Sequence, residues 1–381
     1  RGVFPKYGFP VDVVELKIRS KDQWAQDIEI SRDLRLAISE FAPGCELVAN
    51  GHVITSYALE KVMGKRWREY QYKICGHCGR FERSKSKESE VDHLCKCGHG
   101  SALSSGTFII PEFGFTTAID MKSEAPVDAP PKRTFASQVY FSSYDEPPEP
   151  VPFHFDEAQA LQLKTIFSTQ GKLVVINDNR NQKFHICRSC GYGSRSAVNK
   201  VAHQTPYGTK CINGSDGSGA SLKKAALGHE FKTDVLELQL SGSALSDEQF
   251  RGQDIWLSVQ AALVRGACQA LEIEEENIDG TIGNYAGNDY RSIVLHDTFP
   301  GGAGFVRQIN LHLQRVIQAA LDIAENCPTC SVEQSCNQCL RRYQNQFAHE
   351  LLKRGPAAEV LRLLYDSLFN AENDGFYPPE F

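Results

Sequence analysis

Residues 327–355 read CPTCSVEQSCNQCLRRYQNQFAHELLKRG, and the first thirteen positions hold four cysteines, Cys327, Cys330, Cys336 and Cys339. The spacing C-x2-C-x5-C-x2-C sets two thiolate pairs on tight turns, the soft tetrahedral donor set that Zn2+ favours. Iron–sulfur ligation uses the same residue type and stays the alternative metal. A redox C-x2-C needs one pair only, so the second pair argues for a cage rather than a reactive dithiol. Such a cage substitutes for missing hydrophobic core in a small lobe. It has no neighbouring H-E-x-x-H, so it reads as structural rather than catalytic.

Eleven of the thirteen cysteines fall into three such groups. The second is Cys75, Cys78, Cys95 and Cys97, in CGHCG and CKCGHG. Glycine after cysteine suits a knuckle turn, but the C-x-C half departs from the usual ribbon and leaves His93 or His99 as a replacement ligand. The third holds only Cys187, Cys190 and Cys211, with His203 between them. A structural zinc is closed by four protein ligands, so His203 would complete a Cys3His set, with His185 or water as the alternative. The count then closes at twelve ligands for about three zincs. Cys45 and Cys268 are left as small hydrophobes. Clustered rather than evenly spread cysteines in a chain of 381 residues point to metal and to a reducing, cytoplasmic setting.

The periodicity predicts an α+β fold with an α/β core, several small zinc-stapled lobes and no RecA-like motor lobe. Residues 1–114 read as β-rich with the first zinc lobe, including a hairpin turning at Asn50-Gly51. Residues 115–153 read as a Pro- and Ser-bearing linker. Residues 154–326 form the core with an inserted second zinc lobe, and 327–381 a C-terminal zinc and helical lobe. FDEAQALQLKTIFS (155–168) has helical spacing with Asp156 as N-cap, followed by strands KLVVIND and FKTDVLELQL. Two long helices, DIWLSVQAALVRGACQALEI and GAGFVRQINLHLQRVIQAALDIAEN, flank the strand YRSIVLHD. That strand–loop–helix order is the pattern of an α/β crossover.

Lys+Arg 41 against Asp+Glu 47 gives a net charge of -6, which excludes coating nucleic acid by charge alone but allows a local basic groove. Lys65, Arg66, Trp67 and Arg68, in KRWREYQYK, carry the basic–aromatic mixture that grips single-stranded DNA. A solvated hairpin face has the same composition. Arg341 and Arg342 form a second such cluster. No apolar run approaches the ~20 residues that span a bilayer, so no membrane partner is expected. The opening RGVFPKYGFPVDVVEL lacks an initiator Met and a signal-peptide core, and reads as the middle of a longer polypeptide.

HDTFPGGAGF offers another working loop. Gly301, Gly302 and Gly304 open a helix where backbone N–H groups can hold an anion, and His296 and Asp297 end the preceding strand. A tight strand-to-helix turn is the plainer reading. The DEAQ at 156–159 invites comparison with a helicase box, but no G-x4-G-K-[ST] phosphate loop occurs in the sequence, so ATP hydrolysis is not expected of these residues.

HDTFPGGAG, the four-cysteine cluster and RRYQNQFAHELLKRG together resemble the C-terminal zinc-binding domain of MrfA-type superfamily 2 DNA helicases. KYGFPVDVVEL, FAPGCELVANG and CRSCGYG with its downstream His203 and Cys211 are similar to the region joining that domain to the motor. The resemblance implies that Cys327, Cys330, Cys336 and Cys339 are zinc ligands, and it supports His203. It implies an accessory module of an ATP-dependent helicase in DNA repair or in anti-phage defence, as in DISARM-type systems. ATP and Mg2+ would enter only through motor lobes in cis or a helicase subunit in trans. A stand-alone, non-enzymatic defence subunit is the alternative, and a hydrolase or nuclease using His296 and Asp297 is a third reading.

Overall fold

The computed structural model describes residues 12–76, 79–84, 95, 100–121, 131, 139–145, 148, 150–155, 161–196, 202–211, 222–245, 250, 252–283 and 290–370. In chain order the first strands are β1 (Val13–Lys17), β2 (Ser31–Asp33), β3 (Glu46–Ala49), β4 (His52–Thr55), β5 (Ala58–Leu59) and β6 (Arg68–Cys75). Next come β7 (Phe81–Ser84), β8 (Ala102–Ile110), β9 (Phe115–Thr116), β10 (Val139–Tyr144), β11 (Val151–Phe155) and β12 (Gln162–Asn177). The last are β13 (Phe184–Cys187), β14 (Gly193–Ser194), β15 (Leu222–Ser241), β16 (Ile278–Ile282) and β17 (Tyr290–Asp297). The helices are α1 (Leu34–Glu40), α2 (Gln253–Leu271), α3 (Phe305–Leu311), α4 (Leu313–Glu325) and α5 (Arg354–Asn370). Mixed sheets with these helices make the fold α+β.

The 20-residue β15 is the spine. It pairs antiparallel with β12 along most of its length, with β17 at its C-terminal half, and parallel with β8 near its start. Its two halves serve two cores. Ala225, Leu227, Phe231 and Val235 pack with Tyr72, Phe81, Phe108 and Val174, whereas Leu236, Leu238 and Leu240 pack under the helices. In the first core the sheet curls until Tyr140 of β10 stacks on Phe81 of β7, ring centroids 6.0 Å apart. Side chains rather than a backbone ladder bridge that gap among the described residues.

The second core explains the helices. On α4, Leu313, Val316, Ile317, Ala320, Leu321 and Ala324 are buried, the three- and four-residue spacing of one apolar stripe. The α2 helix is apolar nearly all round because it lies between β16–β17 and the pair α4–α5. Gly266 lets α4 approach: a Cβ there would stand 2.6 Å from the Ala320 nitrogen.

The Asn50-Gly51 hairpin forms as expected, with φ of 48° and 73°. Other expectations change. Among the described residues of 155–168 no helix forms: Phe155 ends β11 and residues 162–168 belong to β12, which lies antiparallel to it. Within β12, Leu163 and Thr165 are buried while Gln162 and Lys164 are half-buried, a period of two imposed by pairing with β15 over the local helix preference. Asp156 lies outside the described residues. The stretch 115–153, expected as a linker, contributes β9, β10 and β11. The second long helix is two, α3 and α4, divided at His312 with φ -121°. The strand–loop–helix unit is present as β17 to α3, but β17 is antiparallel to both its neighbours.

Candidate metal centres

The four sulfurs of the C-terminal group converge from two turns. Cys327–Cys336, Cys330–Cys339, Cys330–Cys327 and Cys336–Cys339 are 3.6, 3.7, 3.8 and 3.8 Å apart. A disulfide needs about 2.05 Å. A tetrahedron of sulfurs at about 2.3 Å from a central zinc has edges of about 3.8 Å. The cage therefore fits zinc in size and donor type.

Two arginines bolt this cage to the helical layer. Arg354 donates to the Ala324 and Glu325 carbonyls at the end of α4 and to the Cys330 and Ser331 carbonyls of the first turn. Arg265 of α2 donates to the Cys339 and Asn337 carbonyls of the second turn, at 2.9 and 2.6 Å. Both clamps escaped the sequence reading, because an arginine's carbonyl partners leave no spacing signal.

In the second cage Cys187, Cys190, His203 and Cys211 bring their ligand atoms within 4.8 Å of one another. His203 Nε2 is 3.3 Å from the Cys190 sulfur, and Cys187 and Cys211 are 3.8 Å apart. His203 is thus the fourth member, with its ring stacked on Tyr192 at 4.7 Å. Gly191 makes the knuckle: with φ +87°, a Cβ there would meet the Leu59 carbonyl oxygen at 2.1 Å. Its own carbonyl accepts from the Leu59 N–H, so the cage docks on β5. The Cys187 thiol is pulled down to about 4, chiefly by its hydrogen bond with Cys190, whose thiol is pushed up by the same contact. A thiolate is the form that binds metal.

Of the remaining group, Cys75 and Cys95 are buried, while Cys78 and Cys97, with His93 and His99, lie outside the described residues.

Residues 259–340, from within α2 to the end of the four-cysteine cage, match the family described as the MrfA Zn-binding domain. The chain is also 25% identical over 409 residues to Druantia protein DruE of Escherichia coli (strain UMEA 4076-1), a match covering 95% of this chain and 21% of that relative. Crystal structures of the DUF1998 helicase MrfA, bound to DNA and alone, give TM-scores of 0.41 and 0.37 at 11% identity. Each covers 93% of this chain and 34% of that protein. The chain thus spans a fifth to a third of the relatives it matches.

Within residues 259–340, the glycine loop is a tight turn around an internal anion. Asp297 Oδ2 accepts from the N–H groups of Ala303, Gly304 and Phe305, and Oδ1 from Val306, at 2.6 to 3.2 Å. Gly302 is required by space, since a Cβ would fall 2.2 Å from Asp234 Cγ. Gly301 and Gly304 have φ of +83° and +87°. His296 and Asp297 are both 0% exposed, so neither meets a substrate, and the nuclease or hydrolase reading fails on access.

Arg342 is also interior. Its guanidinium donates to Asp279 at 2.8 Å and to the Glu275 and Ile278 carbonyls, which ties the cage to β16 and removes it as a DNA contact. Trp67 corrects in the same way: it is buried, with its indole N–H on the Glu60 carbonyl at 3.0 Å. Lys65, Arg66 and Arg68 remain exposed, Arg68 paired with Glu112 at 3.1 Å. Arg341 is half-buried and donates to Ser335.

Proposed function

We propose that this chain is a zinc-stapled accessory module of an ATP-dependent DNA helicase in DNA repair or anti-phage defence. Its task is to guide single-stranded DNA past the motor or to dock a partner of it. The match of 259–340 to the MrfA Zn-binding domain carries this reading, and the relation to DruE supports the defence setting. The two cages are staples: each ties separate turns to a sheet or helix layer and neither offers an open coordination position beside a base. ATP and Mg2+ belong to the motor, joined in cis or in trans. Reduced thiol cages suit the cytoplasm. Lys65, Arg66 and Arg68 are the exposed cations of the N-terminal contact, with Arg341 a lesser one.

The test compares the full-length protein with its Cys336→Ser and Arg66→Ala variants in DNA-stimulated ATPase and strand-unwinding assays. Unwinding that falls while basal ATP turnover persists supports a guiding module. Unwinding unchanged in a variant shown to have lost the C-terminal zinc would refute it.

A further inference from the structure

A cleft of about 440 Å3 opens between the C-terminal end of α2 and the α3–α4 corner, a size within the range of small-ligand sites. One wall is the end of α2, with Leu271 and Glu272; the other is the α3–α4 corner, with the half-buried ring of Phe305 alongside Gln308, His312 and Arg315. These three lie four and three residues apart, so their side chains share one side of the helical corner. His312 sits at the corner itself, its N–H bonded to the Gln308 and Ile309 carbonyls. Arg315 is steadied by one hydrogen bond from Nη2 to the Ala270 carbonyl at 3.2 Å, which leaves further N–H donors of the fork for a ligand. Glu272 stands at the mouth, held by the left-handed C-cap of α2 at φ 53°.

We propose that this cleft holds one nucleoside phosphate unit of single-stranded DNA, with its base against Phe305 and its phosphate on Arg315 and His312. The assignment rests on the DNA-guiding reading above. An aromatic ring beside an arginine fork in one cleft is the arrangement that takes a base and its phosphate together. Glu272 adds selectivity. A carboxylate only accepts hydrogen bonds, and adenine, cytosine and guanine carry an exocyclic amine where thymine has none. The cleft should therefore favour dA or dC over dT. The N-terminus of α3 contributes nothing, because Asp297 occupies its N–H groups.

The experiment measures binding of fluorescent dA, dC and dT oligomers to the whole chain over a salt series. Arg315→Ala should weaken binding and reduce the steepness of log K against log salt by about 0.7, one phosphate contact on a single strand. Phe305→Leu, which keeps the packing, should weaken binding about fivefold or more, the low end of a base–aromatic stack. Glu272→Ala, at an exposed position, should erase the preference for dA and dC. Binding that is intact in all three variants overturns the cleft and leaves the helicase-module reading standing. Oligomer binding untouched while dAMP alone occupies the cleft assigns it to free nucleotide and overturns the single-strand claim. An unmodified chain that binds no oligomer at low salt defeats the DNA-guiding reading together with the cleft.

Discussion

At the scale of single residues, burial decides roles. Arg342 has a fully buried side chain against a nearly buried Asp279, which Arg35 also approaches at 3.6 Å. Arg342→Ala leaves that carboxylate with a weaker partner in the interior and should cost about 3–5 kcal/mol. Denaturant unfolding of the variant checks this, and adding Asp279→Asn should recover part of the loss. His296 lies beside the same cluster, and burial pushes it down to about 4. Its unfolded value is about 6.5, so the unfolded chain binds the extra proton first as pH falls. Stability is then full above about pH 6.5 and declines by about 3 kcal/mol toward pH 4. His296→Gln should flatten that acid limb in a pH series of melting curves. His229, also lowered by burial, would keep a residual slope of the same sign.

At the scale of elements, the cages act as joints. The C-terminal cage links the end of α4 to α2 through Arg354 and Arg265, and the second cage seats on β5 through Gly191. Metal analysis of protein purified without added zinc should give about three zincs per chain, two from these cages and one from the group of Cys75 and Cys95. A value near one would contradict two cages. Gly191→Ala forces a strained φ and a Cβ into the Leu59 carbonyl, so it should lose one zinc equivalent and loosen proteolysis around 187–211. Its C-terminal cage should stay intact, because Arg354 and Arg265 hold that cage to α4 and α2. Cys336→Ser should do the reverse, exposing the α4–α5 region to protease as cage folding energy is lost.

For the whole molecule, charge and topology set what the chain does alone. Without a phosphate loop in the sequence, the chain by itself should show no DNA-stimulated ATP turnover; turnover that survives repurification would refute that. At a net charge of -6, binding to single-stranded DNA should be weak and strongly salt-dependent. Arg66→Ala should reduce that salt dependence. Trp67→Ala should lower the melting temperature instead, because the indole is core and not platform.

Cysteine spacing alone pointed to the C-terminal cage, since four ligands on two tight turns are a local pattern that survives any packing. The same logic of four ligands picked out His203 among distant residues, and hydrophobic period picked out α2, α4 and β17. Whether an arginine or tryptophan faces water or core is not local. Arg342 and Arg341 are neighbours of one kind in sequence, and only the position of Asp279 on β16 makes one interior. Residues 155–168 carry helix-forming composition, yet β15 offers an open ladder along which β12 pairs. Gly301, Gly302 and Gly304 look ready for an outside anion, but the turn brings Asp297 back onto the N–H groups of residues 303–306. For Arg342 and for β12 the deciding partner lies far along the chain, and for the glycine loop it is set by how the turn folds back; a partner that only folding brings close leaves no mark in the local pattern.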